Sequence, residues 1–436
     1  MRESGVEFLG EVPAHWDVQP AVTLARVLTS TVDKKSYEGE RSVKVCNYTD
    51  VYYSDQIVDA SNFMTGTASA EQIAKFSVRA GDVPFTKDSE TADDIGIPSY
   101  VPNDLPDTVY GYHLSIFRPI DKRRGRFLRY LLESNYAKAY FAAKTPGVTR
   151  VGLGQATIRY FRVPTPPAEE AVAIADHLDR ETAQLDAFIA KSEELIAHLT
   201  ERRVAVITRL VTQGVRKGTD LTSSGITWAG EVPGDWLVGN IRRFATMKSG
   251  HTPSRQRPEY WVDCDIPWFT LADVWQLRQG RRIMGDTSEM ISEIGLANSA
   301  AELLPAGTVS LSRTASVGFT GIMPHAMATS QDFWNWIPGD QLLSDYLWYQ
   351  FQAMKPEFER LMMGSTHRTI YKADAASLMV LVPGVDEQRR IVELLEEETD
   401  RIDRAIAVAW RGVALAKERR VALISALVTG KVGVAA

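Results

Sequence analysis

Residues 166–212 read PPAEEAVAIADHLDRETAQLDAFIAKSEELIAHLTERRVAVITRLVT, and residues 383–429 read PGVDEQRRIVELLEEETDRIDRAIAVAWRGVALAKERRVALISALVT. The two stretches align without a gap. Pro166, Glu170, Ile174, Leu178, Glu181-Thr182, Asp186 and Glu201-Arg202-Arg203-Val204 match Pro383, Glu387, Ile391, Leu395, Glu398-Thr399, Asp403 and Glu418-Arg419-Arg420-Val421. From Ala168 to Thr212 there is neither proline nor glycine, and apolar residues recur at Ile174, Leu178, Leu185, Phe188, Leu195, Leu199 and Val206. Steps of three, four and seven predict a helix of ~45 residues, roughly 70 Å long at 1.5 Å per residue. The second copy offers Ile391, Leu395, Ile402, Ala409, Ala416 and Leu423. Leu178, Leu185, Leu199 and Val206, with Leu395, Ile402, Ala416 and Leu423, keep a seven-residue spacing, so one narrow stripe on each helix needs a partner. Pairing of the two helices with each other is expected, against the alternative that each lies on its own domain.

The duplication extends outward from the helices. Ser4-Gly5-Val6, Gly10-Glu11-Val12-Pro13 and Trp16 return as Ser224-Gly225-Ile226, Gly230-Glu231-Val232-Pro233 and Trp236. Between the helical stretches lie two segments rich in glycine, proline and aromatics, with short apolar runs such as Val43–Cys46 and Thr308–Leu311. They read as α+β domains. The chain therefore divides into a first globular domain (1–165), a central long helix (166–214), a second globular domain (215–382) and a C-terminal long helix (383–436). Gln213–Thr219 serves as the linker, with Gly214 where a helix ends. Sparse landmarks relate the two domains: Gly81-Asp82-Val83 with Gly307-Thr308-Val309, and Gly147 and Thr149 with Gly364 and Thr366. A shared scaffold with different recognition surfaces follows.

With 44% hydrophobic and 24% charged residues in 436, the composition is that of a globular protein. Neither a membrane span nor the apolar core of a signal peptide is found, so a soluble cytoplasmic chain is expected. Two cysteines, Cys46 and Cys264, suit a reducing compartment. The net charge of −6 excludes an all-over basic nucleic-acid binder, so any such binding must use local clusters or a more basic partner.

Chemistry-bearing motifs are missing. Gly430-Lys431 is followed by Val432, so there is no phosphate-binding loop; no Gly-x-Gly-x-x-Gly, His-Glu-x-x-His, Cys-x-x-Cys or Gly-x-Ser-x-Gly occurs, and Pro166-Pro167 lacks the flanks of the adenine-methyltransferase signature. Seven scattered histidines suit surface or core positions better than a metal site. The reading is a non-catalytic binder. Candidate contacts cluster in loops: Lys87, Ser89, Tyr112, His113 and Arg150 in the first domain, and Ser249, His251, Thr252, Arg255, Arg313 and His367 in the second. Hydroxyls and backbone groups suit phosphates, and Arg, Asn and Gln reach base edges in pairs of hydrogen bonds. The basic stretch Lys248–Arg257 reads equally as a solvated loop.

These residues carry a family likeness. Gly10–Pro13 with Trp16 and their repeat, Phe85–Thr91 with Gly111-Tyr112-His113, Ser249–Ser254 with Tyr260-Trp261 and Ile266-Pro267-Trp268, Leu304–Thr308, and Pro383 with Glu387-Gln388 together resemble the specificity subunit of type I restriction-modification systems. One departure is Ala171, where that family usually has glutamine; Gln388 keeps it. The resemblance covers nearly the whole chain. It implies an antiparallel coiled coil of the two long helices, with Leu178, Leu185, Leu199, Leu395 and Ile402 at the subunit interface and the helix length fixing a spacer. It also implies that each α+β target-recognition domain reads one half of a bipartite, asymmetric site on double-stranded DNA. Partners would be two methyltransferase subunits, which bring S-adenosylmethionine and methylate adenine, and motor-nuclease subunits, which bring ATP and Mg; this chain would hold no cofactor and no metal. A specificity subunit of a type IIB-like enzyme, a two-headed scaffold that binds protein or glycan, and an enzyme with an unrecognised site are the alternatives.

Overall fold

The computed structural model describes residues 1–145, 150–216, 218–362 and 368–434. It divides into two compact units, Met1–Glu193 with Trp410–Ala436 and Glu194–Ala409. The long helices are α1 (Ala168–Gln213) and α2 (Val385–Val428). Glu169 and Glu170 in the first turn of α1, and Asp386 and Glu387 in that of α2, complement the positive end of the helix dipole. Gly214 and Gly430 follow the helices at φ 71°, a left-handed turn that a side chain would strain.

Burial fixes which face of each helix turns inward. In the first unit Leu178, Thr182 and Ser192 of α1 are buried and Leu185 and Ile189 half-buried; Val413, Ala416, Ile424 and Leu427 of α2 are buried. The second unit buries Ile196, Ile207 and Leu210 of α1 and Leu395, Thr399 and Ile402 of α2, with Leu199, Arg203 and Val206 half-buried. On both helices the inward positions alternate by four and three residues, the heptad pattern of a coiled coil. Phe188 and Leu195, counted among the recurring apolar residues of the sequence, are each 50% exposed, although the Phe188 ring lies beside Gly412 of α2. Their neighbours Ile189 and Ile196 take the inward positions, because the step of four from Leu185 reaches 189 and the step of four from Ser192 reaches 196. Within the first unit Arg420 pairs with Asp186 (2.9 Å) and Lys417 with Glu193 (3.1 Å). Within the second, Arg203 pairs with Asp403 (2.8 Å), and Arg216, just past α1, pairs with Glu387 (3.0 Å). Partner numbers rise on one helix as they fall on the other, so the helices pack antiparallel in each unit.

Each globular body is α+β. The first holds an antiparallel sheet of β1 (Ala25–Thr29), β2 (Val83–Thr86) and β3 (Leu114–Pro119) in the order β1-β3-β2. Its core of Phe85, Phe117, Phe127, Phe141 and Phe161 includes Ala171, Ile174 and Leu178 from the start of α1, and Ile424, Leu427 and Val428 from the end of α2. The second holds β4 (Ala245–Ser249), β5 (Val309–Ser312), β6 (Thr320–Ile322) and β7 (Phe333–Pro338) in the order β4-β7-β5-β6. Its core around Trp336, Tyr346 and Phe351 takes Ile207, Leu210 and Val211 from the end of α1 and Ile391 and Leu395 from the start of α2. Neither core is complete without both helices.

The repeated motifs now have physical reasons. Trp16 is 2% exposed, and its Nε1 donates to Glu170 (3.1 Å). The matching Trp236 packs beside Gly214, close enough that a Cβ there would meet its ring. Gln388 is fully buried: its amide donates to the Gln341 and Pro383 carbonyls and accepts from the Leu343 N–H. Ala171 fills the corresponding place with a methyl group, also fully buried. Cys46 is buried and Cys264 partly exposed. Among the described residues no helix is long and apolar enough to cross a membrane.

Two arginines sit at matching inward positions with different surroundings. Arg420 is 14% exposed and meets Glu133 (16% exposed) as well as Asp186, whereas Asp403, the partner of Arg203, is 48% exposed. Arg420→Ala removes one of two guanidinium partners of the largely buried Glu133, leaving Arg129 (3.0 Å), and should cost about 1.5–3 kcal/mol, while Arg203→Ala should cost about 1 kcal/mol or less. Urea denaturation of the two variants checks the difference; equal losses would contradict it.

Candidate nucleic-acid interface

In the first unit the sheet brings the loop candidates together. Thr86 faces Leu114 across β2 and β3, and beyond that rung the Lys87 N–H donates to the His113 carbonyl (3.2 Å). Asp88–Ser89 then pairs with Val151–Gly152, which carries Arg150 alongside. The Asp88 carboxylate accepts from Lys87 Nζ (2.7 Å) and lies 2.9 Å from His113 Nδ1. Burial works against its ionisation, but the hydrogen bonds from Lys87 and His113 outweigh burial and hold it below the usual carboxylate range. Tyr112, 39% exposed, packs on His113 with ring centroids 3.7 Å apart. Thr86 is fully buried and takes the Ile97 N–H, a scaffold role. Gly147 and Thr149 lie outside the described residues.

Ser89, His113 and Arg150 share a cavity of about 290 Å3 with three tyrosines that motif reading passed over. Tyr48 and Tyr52 stack at 5.4 Å, and Tyr53 stands edge-on to Tyr52 at 4.8 Å. The Tyr52 hydroxyl donates to Asp94 (2.9 Å), and that carboxylate, with desolvation, pushes Tyr52 up to about 12. Tyr53 is 79% exposed. The i, i+4 spacing of Tyr48 and Tyr52 in a short helix was the available signal.

In the second unit the stretch after β4 is built on arginine and tryptophan. The Arg255 guanidinium lies 3.7 Å from the centroid of Trp261 and 5.5 Å from that of Trp268, and pairs with Glu289. Trp261 Nε1 donates to the Ser254 carbonyl and Trp268 Nε1 to that of His251, both at 3.1 Å, so the rings hold the loop as well as the arginine. Lys248 and Arg257 also have carboxylate partners, Glu302 and Glu259. Arg313 lies over Trp334 at 4.4 Å and donates through Nε to the Gln331 carbonyl (2.6 Å). Thr252 donates to the Gln331 side chain, and the His251 N–H to the Thr329 carbonyl (3.0 Å). His251, Thr252 and Arg313 thus converge on the turn 329–332, Ser249 pairs with Trp334 across β4 and β7, and Arg255 sits in its aromatic clamp. His367, Gly364 and Thr366 lie outside the described residues, as does Lys217 of the linker. Among the described residues no cluster of His, Cys, Asp and Glu has metal-holding geometry.

Known proteins place this arrangement. The family described as "Type I restriction modification DNA specificity domain" matches residues 233–406. The type I restriction enzyme MjaIX specificity subunit of Methanocaldococcus jannaschii is 30% identical over 176 residues, 40% of each chain. A putative type I restriction enzyme MjaX specificity subunit from the same organism is 23% identical over 98% of this chain and 96% of its own length. The chain is thus similar to type I restriction-modification specificity subunits, over residues 233–406 by the family match and over nearly its whole length by the MjaX relative. Two solved structures share the fold of this chain. One comes from work on complex assembly and conformational transition of the type I R-M system (TM-score 0.68, 18% identity, 97% of this chain and 100% of that one). The other is the HsdS subunit from Thermoanaerobacter tengcongensis (TM-score 0.57, 17% identity, 97% and 98%).

Gly250 tests how the candidate site of the second unit is built. A Cβ there would collide with the backbone of Thr329 and Ser330, so the strand lies directly on the 329–332 turn. Gly250→Ala should cost about 1–3 kcal/mol and open the loop to limited proteolysis. Wild-type stability and an unchanged digestion pattern would show that the close approach is not required.

Proposed function

We propose that the chain is the non-catalytic DNA-reading subunit of a type I restriction-modification complex in the cytoplasm. Each unit reads one half of a bipartite, asymmetric site on double-stranded DNA. Two methyltransferase subunits carry S-adenosylmethionine and methylate an adenine flipped from the stack, and motor-nuclease subunits carry ATP and Mg. The observation that supports this best is repetition of frame with divergence of surface. Trp16 and Trp236, the helix ends and the inward pairs Arg420–Asp186 and Arg203–Asp403 repeat, while the surfaces present tyrosines with an Asp88–His113 pair in one unit and an arginine–tryptophan clamp in the other. Two copies of one scaffold with dissimilar contact surfaces are what an asymmetric two-part sequence requires.

Lys87, Ser89, Tyr112, His113 and Arg150 contact the first half-site, and Ser249, His251, Thr252, Arg255, Arg313 and His367 the second. An acidic chain can do this because its exposed ion pairs, such as Lys248–Glu302 and Arg257–Glu259, are worth little in water. Phosphates can replace those carboxylates, and the partner subunits add phosphate contacts of their own. The methyltransferase subunits dock on the long helices, where Trp410 (52% exposed) and Leu415 (65% exposed) leave apolar surface uncovered.

Co-expression with the methyltransferase of its own system, followed by long-read mapping of methylated adenines, tests the proposal. A two-part asymmetric motif that vanishes on deletion of this chain is expected. Arg313→Ala should weaken binding to that motif by about 1–3 kcal/mol and relax only its second half. Methylation that persists without the chain would overturn the proposal.

A further inference from the structure

The turn 329–332 is held from several sides. The Ser330 N–H donates to the Phe269 carbonyl (3.0 Å) and the Arg313 N–H to the Asp332 carbonyl (2.8 Å). The Asp332 carboxylate takes the hydroxyls of Ser330 (3.0 Å) and Thr314. Gln331, at the centre of this turn, is exposed. It is nonetheless held: the Thr252 hydroxyl donates to its Oε1, and Arg313, over the Trp334 ring at 4.4 Å, donates to its carbonyl. An amide oxygen has two lone pairs, so Oε1 keeps one for a further donor, and Nε2 keeps two hydrogens. The result is an acceptor and a donor side by side, facing outward on a preorganised turn, with the rotamer freedom of a long side chain already reduced.

That pattern complements one base edge. In the major groove adenine offers an N6 donor beside an N7 acceptor, and glutamine meets both at once. We propose that Gln331 is a specificity-determining residue of the second unit that reads a stacked adenine, with Thr252 and Arg313 as its positioning residues. This rests on the DNA-reading role proposed above. The adenine is distinct from the methylated one, which leaves the stack.

The test uses the full chain with its methyltransferase. Duplexes carrying the mapped motif, and all single base-pair changes in its second half, compete for binding. Wild type should discriminate roughly 5- to 150-fold at one A·T pair other than the methylated one. Gln331→Ala should flatten discrimination at that pair alone. Gln331→Glu, nearly the same shape, should shift its preference from adenine to cytosine, whose N4 amino group donates to a carboxylate. Thr252→Ala should reduce discrimination at the same pair and Thr252→Ser restore it, a rescue that loss of packing alone would not give. If wild type discriminates but Gln331→Ala leaves every position unchanged, or relaxes a pair other than A·T, the assignment of Gln331 is overturned. If wild type shows no sequence preference, the DNA-reading role fails with it.

Discussion

The seam between the two long helices is the constraint on which the rest of the structure depends. A helix of this length with one apolar stripe is unstable alone in water and must bury that stripe against a partner. Here the stripe continues past the coiled coil into the globular bodies: Ile174 and Leu178 of α1 and Ile424 and Leu427 of α2 belong to the first core, and Ile207, Leu210, Ile391 and Leu395 to the second. Each body is closed by the beginning of one helix and the end of the other. The duplicated sequence is thus not two independently folded repeats, because each repeat supplies part of the core of both units.

Charge at the seam specifies orientation rather than adding bulk stability. Arg203 and Arg420 occupy inward heptad positions where an apolar residue would pack better, and each meets an aspartate of the opposite helix within its unit. Polar residues at such positions trade stability for a defined register. The contact loops apply a related economy of motion. Arg255 beside two tryptophans, and Lys87 and His113 on Asp88, are held by contacts within the chain, so under the proposed role less conformational entropy would be lost on binding.

The helices were legible because no proline or glycine breaks 168–212, only Gly412 interrupts 385–428, and the repeat fixes equivalent positions. The phase of the stripe was harder to read. At Phe188-Ile189 and Leu195-Ile196 two apolar residues stand side by side, and periodicity alone does not choose between them. Packing against the partner helix does, turning Ile196 inward to 8% exposure and leaving Leu195 at 50%. At the candidate contact surfaces Lys87, Asp88 and Ser89 were visible as one run, and His113 joined them through the β2–β3 ladder. Gln331 was invisible, because its partner Thr252 is 79 residues away and meets it only where Gly250 lets two backbones touch. The tyrosines at 48, 52 and 53 carried no signal beyond the i, i+4 spacing of the first two, and their closeness to Ser89 and His113 shows only in the cavity they share.

Selection of duplexes from a fully randomised pool by the complete chain bound to its methyltransferase is the most direct test of the central claim that two dissimilar units read two halves of one site. The account predicts enrichment of two short, different blocks of fixed sequence separated by a constant gap. Enrichment of one continuous block, of two identical blocks, or of no sequence at all would contradict it.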